Sequence, residues 1–163
     1  MVIGNAGGGK STLSRRLAAQ MNLPHLAIDQ IQWQPGWVKT PESDYDKAHA
    51  AWLAQDRWLI DGVGSWPSIQ ARLNAAEVII FVDLPFWHHL WWAMKRQVTS
   101  LFVGRKDGPN NSPMWKVTFR LVAMMWWLHR HLRPDLIAAI DARRDHARVI
   151  VMTSKHRLDA PFS

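Results

Sequence analysis

The sequence contains no cysteine, which removes disulfides, thiolate metal sites and cysteine nucleophiles from consideration and permits a reducing compartment. It also lacks an apolar run of the roughly 20 residues needed to cross a bilayer. The two most apolar stretches, Leu84–Met94 and Leu121–Leu128, are stopped by Lys95, Arg120 and Arg130, and they read as buried helices. The opening Met1-Val2-Ile3-Gly4 has no basic segment leading into an apolar one, so nothing marks the chain for export and a cytoplasmic location is expected. Internal repeats, low-complexity tracts and linkers are missing as well. The 163 residues therefore suit a single domain, 1–163, large enough to bury a sizeable core.

Acidic side chains are scarce in one half only. Residues 1–94 carry seven basic and eight acidic residues, whereas residues 95–163 carry thirteen basic and five acidic, for a net charge of +7. Such a skew suits phosphates, nucleic acid or an anionic membrane surface, and equally a solvated basic face.

Short apolar runs alternate with longer segments of helical period, the pattern of a parallel sheet covered by helices on both faces. The expected strands are Met1–Ile3, His25–Ile28, Trp58–Ile60, Val78–Val82 and Val149–Met152. Only three residues precede Gly4, so the first strand is either short or entered part-way. Lys10–Gln20 places Leu13, Leu17 and Met21 at helical spacing, and Thr40-Pro41-Glu42 supplies a cap, a first-turn proline and an early acid for a helix through Gln55. Ser65 caps another to Asn74. Trp87, Leu90, Trp91, Met94, Val98 and Leu101 form a helical stripe, followed by a loop at residues 103–113, rich in Gly, Pro and Asn. A further apolar helix is expected over Met114–Arg133, with Pro134 marking a break or kink before Asp135–Arg143.

Gly4-Asn5-Ala6-Gly7-Gly8-Gly9-Lys10-Ser11 matches G-x-x-x-x-G-K-[ST] at every defined position. Between a strand and a helix, this pattern curls backbone N–H groups around phosphate oxygens, with the helix N-terminus adding partial positive charge. Lys10 would reach the β- and γ-phosphates, the Ser11 hydroxyl would ligate Mg²⁺, and Thr12 would add a hydrogen bond to an α-phosphate. A dinucleotide G-x-G-x-x-G reading fails, because Ala6 and Thr12 stand where glycines would be required. Three acids close the ends of expected strands: Asp29 the second, Asp61 the third and Asp83 the fourth. All lie where open parallel sheets bind ligands, and any of them could serve the metal or cap a turn.

The residues resemble the adenylate kinase-like branch of P-loop kinases, and within it most closely the group of small kinase-like proteins labelled DNA topology modulation protein (FlaR-like). The segments "GGGKSTLSRRL", "LAIDQIQWQPGWVKTP", "DRWLIDGVGS", "VIIFVDLP", "AMKRQ" and "HRHLRPDL" carry the resemblance, in that order, over nearly the whole chain. It implies a P-loop NTPase fold: three α/β/α layers around a five-stranded parallel sheet of order 2-3-1-4-5, with a short helical lid. It further implies an acceptor-side insertion at about 30–57 and a lid-like segment at about 100–116, near Arg105. Asp61 would be the acid that supports Mg²⁺, Asp29 would face the acceptor or the metal, and adenine would lie near Ser154, Lys155 and His156. The chain departs from that branch after Asp61-Gly62, where Val63-Gly64-Ser65-Trp66 stands in place of the aromatic, proline and arginine that grip a monophosphate. Residues 30–55 supply only Lys39 and Lys47 as cations, which argues against AMP as acceptor. Trp33, Trp37 and Trp52 could stack on a flat ligand, with core or lid packing the default for each.

The reading is an ATP- and Mg²⁺-dependent phosphotransferase acting on a small molecule whose identity the sequence leaves open. Lys10, Arg96 and Arg105 would stabilise the moving phosphoryl group, with Lys95, Arg130 and Arg133 as further candidate cations and Asp29 as base. The eight histidines show no metal-binding spacing, and packing or surface roles are expected for His88, His89, His129 and His131. The alternatives are a nucleotide-regulated nucleic-acid-binding protein and a simple ATPase. Neither a recognition helix nor an RNA-binding signature is visible, and a guanine-specifying N-K-x-D motif is absent.

Overall fold

The computed structural model describes residues 1–103 and 118–154, with side chains described outside 96–103 and 118–120. Five strands, β1 (Val2–Gly4), β2 (His25–Ala27), β5 (Leu59–Asp61), β6 (Val78–Val82) and β7 (Arg148–Met152), form one sheet in the order β2-β5-β1-β6-β7. Every pairing in it is parallel. Counting only these strands, the order is 2-3-1-4-5. The numbering shifts because a two-stranded antiparallel hairpin, β3 (Trp33–Gln34) and β4 (Val38–Lys39), is inserted after β2.

Alternation along the central strands builds a core on each face of the sheet. Ile3, Ile79 and Phe81 pack with Ile69 and Leu73 of α4 (Trp66–Ala75) and with Leu136 and Ile140 of α7 (Arg133–Asp141). On the opposite face Val2, Ile80 and Val82 meet Leu13 and Leu17 of α1 (Lys10–Met21). A third cluster joins Ile28, Tyr45 and Ile60, uniting α2 (Ile28–Gln32) and α3 (Glu42–Leu53) with β5. The result is the three-layer α/β/α arrangement expected.

Four local expectations need correction. The second strand stops at Ala27, so Asp29 sits in the first turn of α2 rather than at a strand end. Helix α3 starts at Glu42 with Pro41 as its N-cap, in place of a Thr40 cap. Of the helix expected over 114–133, residues 114–117 lie outside the described residues; Thr118–Trp127 form α6, followed by a π-helical turn at Leu128–Leu132 that runs directly into α7. Pro134 lies in the first turn of α7, and the Arg133 amide reaches back five residues to the Leu128 carbonyl. The widened turn carries the chain past a proline, which has no N–H to give.

The fourth concerns α5 (Phe86–Val103), whose large apolar residues were expected to be buried. Trp87 and Trp91 are 72% and 67% exposed, and among its described side chains the buried ones are His89 and Ala93. Backbone proximity explains the inversion: a Cβ placed on Gly7 would lie 2.3 Å from the His89 carbonyl oxygen and 3.0 Å from the Ala93 nitrogen. Indoles cannot occupy a contact that tight. On α6, Met125 is buried while Met124, Trp126 and Trp127 are exposed. Among the described residues, no helix is long and apolar enough to cross a membrane.

Candidate active site

The glycine-rich loop leaves β1 at Gly4 and enters α1 at Lys10, with Gly9 as N-cap. It is stapled from two sides before any ligand is considered. Asn5 Oδ1 accepts from the Ala6 amide at 2.8 Å, and Asn5 Nδ2 donates to the Met125 carbonyl of α6 at 3.0 Å. His89 Nδ1 lies 3.1 Å from the Ala6 carbonyl oxygen, which can only accept, so Nδ1 carries the proton. His89 is 2% exposed. Burial above all, and then the charge of Lys10, push its pKa down to about 4, so the ring is neutral at pH 7. A Cβ on Gly8 would meet the His89 ring at 2.7 Å, so this histidine fills the space that a larger loop residue would need.

Lys10 Nζ donates to the Asn5 carbonyl at 2.7 Å, folding the ammonium over the loop's concave face. Ala6, Gly7, Gly8, Gly9, Lys10, Ser11 and Thr12, all expected at the phosphates, border one cleft of about 670 Å³, within the range of ligand pockets. Gly4 and Asn5 were expected there too, but they lie beneath the loop beside Asp83 and Arg133, bordering a separate small recess. The same cleft is bordered by Asp29, Gln32, Trp33 and Trp37 from α2 and the hairpin. Asp61 and the turn Gly62–Gly64 form its floor, and Leu121, Met124 and Trp127 of α6 form a further side.

Asp61 ends β5, 2% exposed, with His25 Nε2 3.3 Å from its Oδ1. That His25 nitrogen is buried and makes no hydrogen bond, so the carboxylate lies at the cleft floor with its histidine neighbour poorly aligned to neutralise it. A buried carboxylate and the Ser11 hydroxyl bordering the same cleft are the hard oxygen donors that suit Mg²⁺, an ion that keeps several of its waters. The described residues contain no group of three or more His, Asp or Glu fit to hold a metal by themselves; phosphate and water oxygens would have to complete the shell.

Asp83 is placed differently. Arg133 Nε and Nη2 each donate to one of its carboxylate oxygens at 2.7 Å, and that hydrogen bonding raises the Arg133 pKa further. Arg133, considered above as a cation closing over the nucleotide, is thereby tied to the sheet. Arg105 and Lys155 lie outside the described residues, as does the side chain of Arg96, whose backbone belongs to α5. Most of the lid-like segment also falls outside them. Ser154 is exposed two residues beyond β7 and is not among the residues bordering the cleft.

One contributor has no counterpart in the sequence reading, and the packing expected for His89 takes a specific form. Arg72 of α4 is fully buried and donates to the carbonyls of Gly62 (2.8 Å), Val63 and Ser68 (3.1 Å), fixing the turn that follows Asp61. Burial is the main cause of its pKa falling to about 10, which Tyr45 and Asp61 oppose, and it stays charged at neutral pH. An arginine at helical spacing reads as a surface charge, and no sequence signal marked it. The packing of His89 leaves a trace: Ala93, one turn later, is the small residue among the bulky Trp87–Met94 run, which marks a close backbone approach.

Neither a protein-family model nor a curated protein matches the chain. Among solved structures it is similar to a shikimate kinase from Bacteroides thetaiotaomicron, at 14% identity and a TM-score of 0.47, covering 98% of this chain and 90% of that one. It is also similar to a "putative kinase" from Chloroflexus aurantiacus j-10-fl, at 16% identity and a TM-score of 0.42, covering 80% of this chain and 96% of that one. Similarities this distant carry no argument, and both fold and chemistry rest on the chain's own residues.

Proposed function

We propose that the chain is a P-loop kinase that transfers the γ-phosphoryl group of ATP to a hydroxyl group of a small molecule. The observation that carries this reading is the convergence of Lys10, Ser11, Asp29 and Asp61 on the cleft beneath a complete G-x-x-x-x-G-K-S loop. The loop amides and Lys10 would hold the β- and γ-phosphates of ATP, with Ser11 and Asp61 holding Mg²⁺. When bound, Mg²⁺ would neutralise charge on the phosphate oxygens. Arg96 and Arg105 are assigned to the developing charge on the transferred group, and Ser154 and Lys155 to the adenine side.

The acceptor oxygen forms a bond to the γ-phosphorus as the bond from that phosphorus to the β–γ bridging oxygen breaks, and ADP departs. The hydroxyl proton passes to Asp29. A loose transition state demands little of this base. A screen of hydroxyl and phosphate acceptors for ADP release, run with ATP and with GTP, tests the reading. Acceptor-dependent ADP release lost in Lys10→Ala supports it; release that no acceptor stimulates would make the protein an ATPase.

A further inference from the structure

Trp33 and Trp37 are large apolar side chains that the fold does not use as core. Trp52, the third indole of the same segment, packs against the cluster around Ile28, Tyr45 and Ile60. Trp33 and Trp37 belong to none of the three apolar clusters among the described residues. Both are half-buried, meet edge to face with ring centroids 6.0 Å apart, and border the cleft that the phosphate loop also borders. Their hairpin sets them there at a conformational cost. After Pro35, Gly36 has φ 79° as the turn requires, but Trp37 follows with φ 63°, in the left-handed region that a side chain with a Cβ disfavours. Strain of this kind persists where the surroundings hold it, and it concentrates at ligand-binding sites.

The polar groups on this wall are equally selective. Asp29 and Gln32 border the cleft from α2, whereas Lys39 and Lys47, the only cations in residues 28–55, do not; the guanidinium of the cleft lining is that of Arg15, on α1 beyond the phosphate loop. At the floor, the guanidinium nearest the Gly62–Gly64 turn is Arg72, which lies buried behind it and faces its carbonyls. Among the described residues, α2 and the hairpin therefore offer no cation at the cleft to an acceptor carrying phosphate or carboxylate. A flat, uncharged ring gains from both indoles, because every such ring has a face to stack.

We propose that the acceptor is a flat, uncharged alcohol, an aromatic ring system bearing a hydroxyl group in the manner of a nucleoside, stacked on Trp33 and Trp37 with its hydroxyl directed to Asp29. This assignment rests on the kinase reading of the same cleft. In the step itself the hydroxyl oxygen gains the phosphoryl group, its proton goes to Asp29, and ADP is the leaving group.

Calorimetric titration of the full chain in the presence of a saturating non-hydrolysable MgATP analogue, which occupies the phosphate loop, reads this wall directly. The probes are uridine, adenosine and hydroxymethylpyridine, with the 5′-monophosphates of the two nucleosides for comparison. At least one flat alcohol should bind, and a nucleoside should bind about tenfold or more tightly than its monophosphate. Trp33→Ala and Trp37→Gly should each weaken that binding about tenfold, the effect of losing one stacking face. Glycine accepts the positive φ of position 37, so Trp37→Gly removes the ring without straining the hairpin, and an unchanged melting temperature checks this. Tighter binding of the monophosphates, binding of no flat alcohol, or wild-type affinity in both tryptophan variants would each overturn the proposal. A parallel titration with MgATP separates the two claims. ATP binding without flat-alcohol binding overturns the acceptor class alone; flat-alcohol binding without ATP binding overturns the kinase reading.

Discussion

Arg133 holds Asp83 through both carboxylate oxygens, with Nε and Nη2 each 2.7 Å from their partner. The contact joins the end of β6 to the start of α7 across the π-helical turn, and it separates the two carboxylates that flank β1. Asp83 is committed to a guanidinium, while Asp61 borders the cleft with Lys10 and Ser11.

This division predicts different failures in the two asparagine variants. Asp61→Asn should abolish the Mg²⁺ dependence of ATP binding, measured by titration with and without the metal. Asp83→Asn should leave that dependence intact and lower stability by about 1 kcal/mol, the scale of a partly exposed bidentate pair. If Asp83→Asn alone removes the metal dependence, the two assignments are reversed.

His89 makes stability pH-dependent. Its pKa is about 4 in the fold against 6.5 in the unfolded chain, so the unfolded form binds more protons between those values. Its contribution is complete above pH 6.5 and is lost as pH falls toward 4, by about 3 kcal/mol at most. His49, also lowered chiefly by burial, acts in the same direction. Denaturant unfolding of His89→Gln, whose amide still donates to the Ala6 carbonyl, should show a shallower loss of stability between pH 6.5 and 4 than the wild type. An unchanged slope would remove His89 from the account.

Arg72 should be structurally indispensable although it borders no part of the cleft. In Arg72→Met the carbonyls of Gly62, Val63 and Ser68 lose a buried donor, at about 1–3 kcal/mol for each group left unpaired. Thermal unfolding should show a loss of at least about 3 kcal/mol. A loss below about 1 kcal/mol would mean that the turn after Asp61 holds itself.

The sheet was legible because its strands are short apolar runs, and the phosphate loop because glycine, lysine and serine recur at fixed spacing. The orientation of α5 was not. Periodicity placed Trp87 and Trp91 on an apolar stripe, yet the inward side is decided by how closely the Gly7–Gly8 backbone approaches, and only His89 and Ala93 permit that contact. Pairings distant in sequence left no local trace either: Asp83 and Arg133 are fifty residues apart. Of the core or lid packing expected for the tryptophans of residues 30–55, the core role is met by Trp52, while Trp33 and Trp37 border the cleft, since composition cannot tell which indoles of one segment reach a cluster and which border a cleft.

The central claim is that the loop ending in Lys10 and Ser11 grips the phosphates of ATP. Calorimetric titration of MgATP into the wild type and Lys10→Ala tests it most directly. The account predicts saturable binding to the wild type and a loss of a hundredfold or more in the variant, of the order expected when a charge-assisted phosphate contact and its field are removed. Melting temperature without ligand should change little. Equal ATP affinity in the two proteins would contradict it.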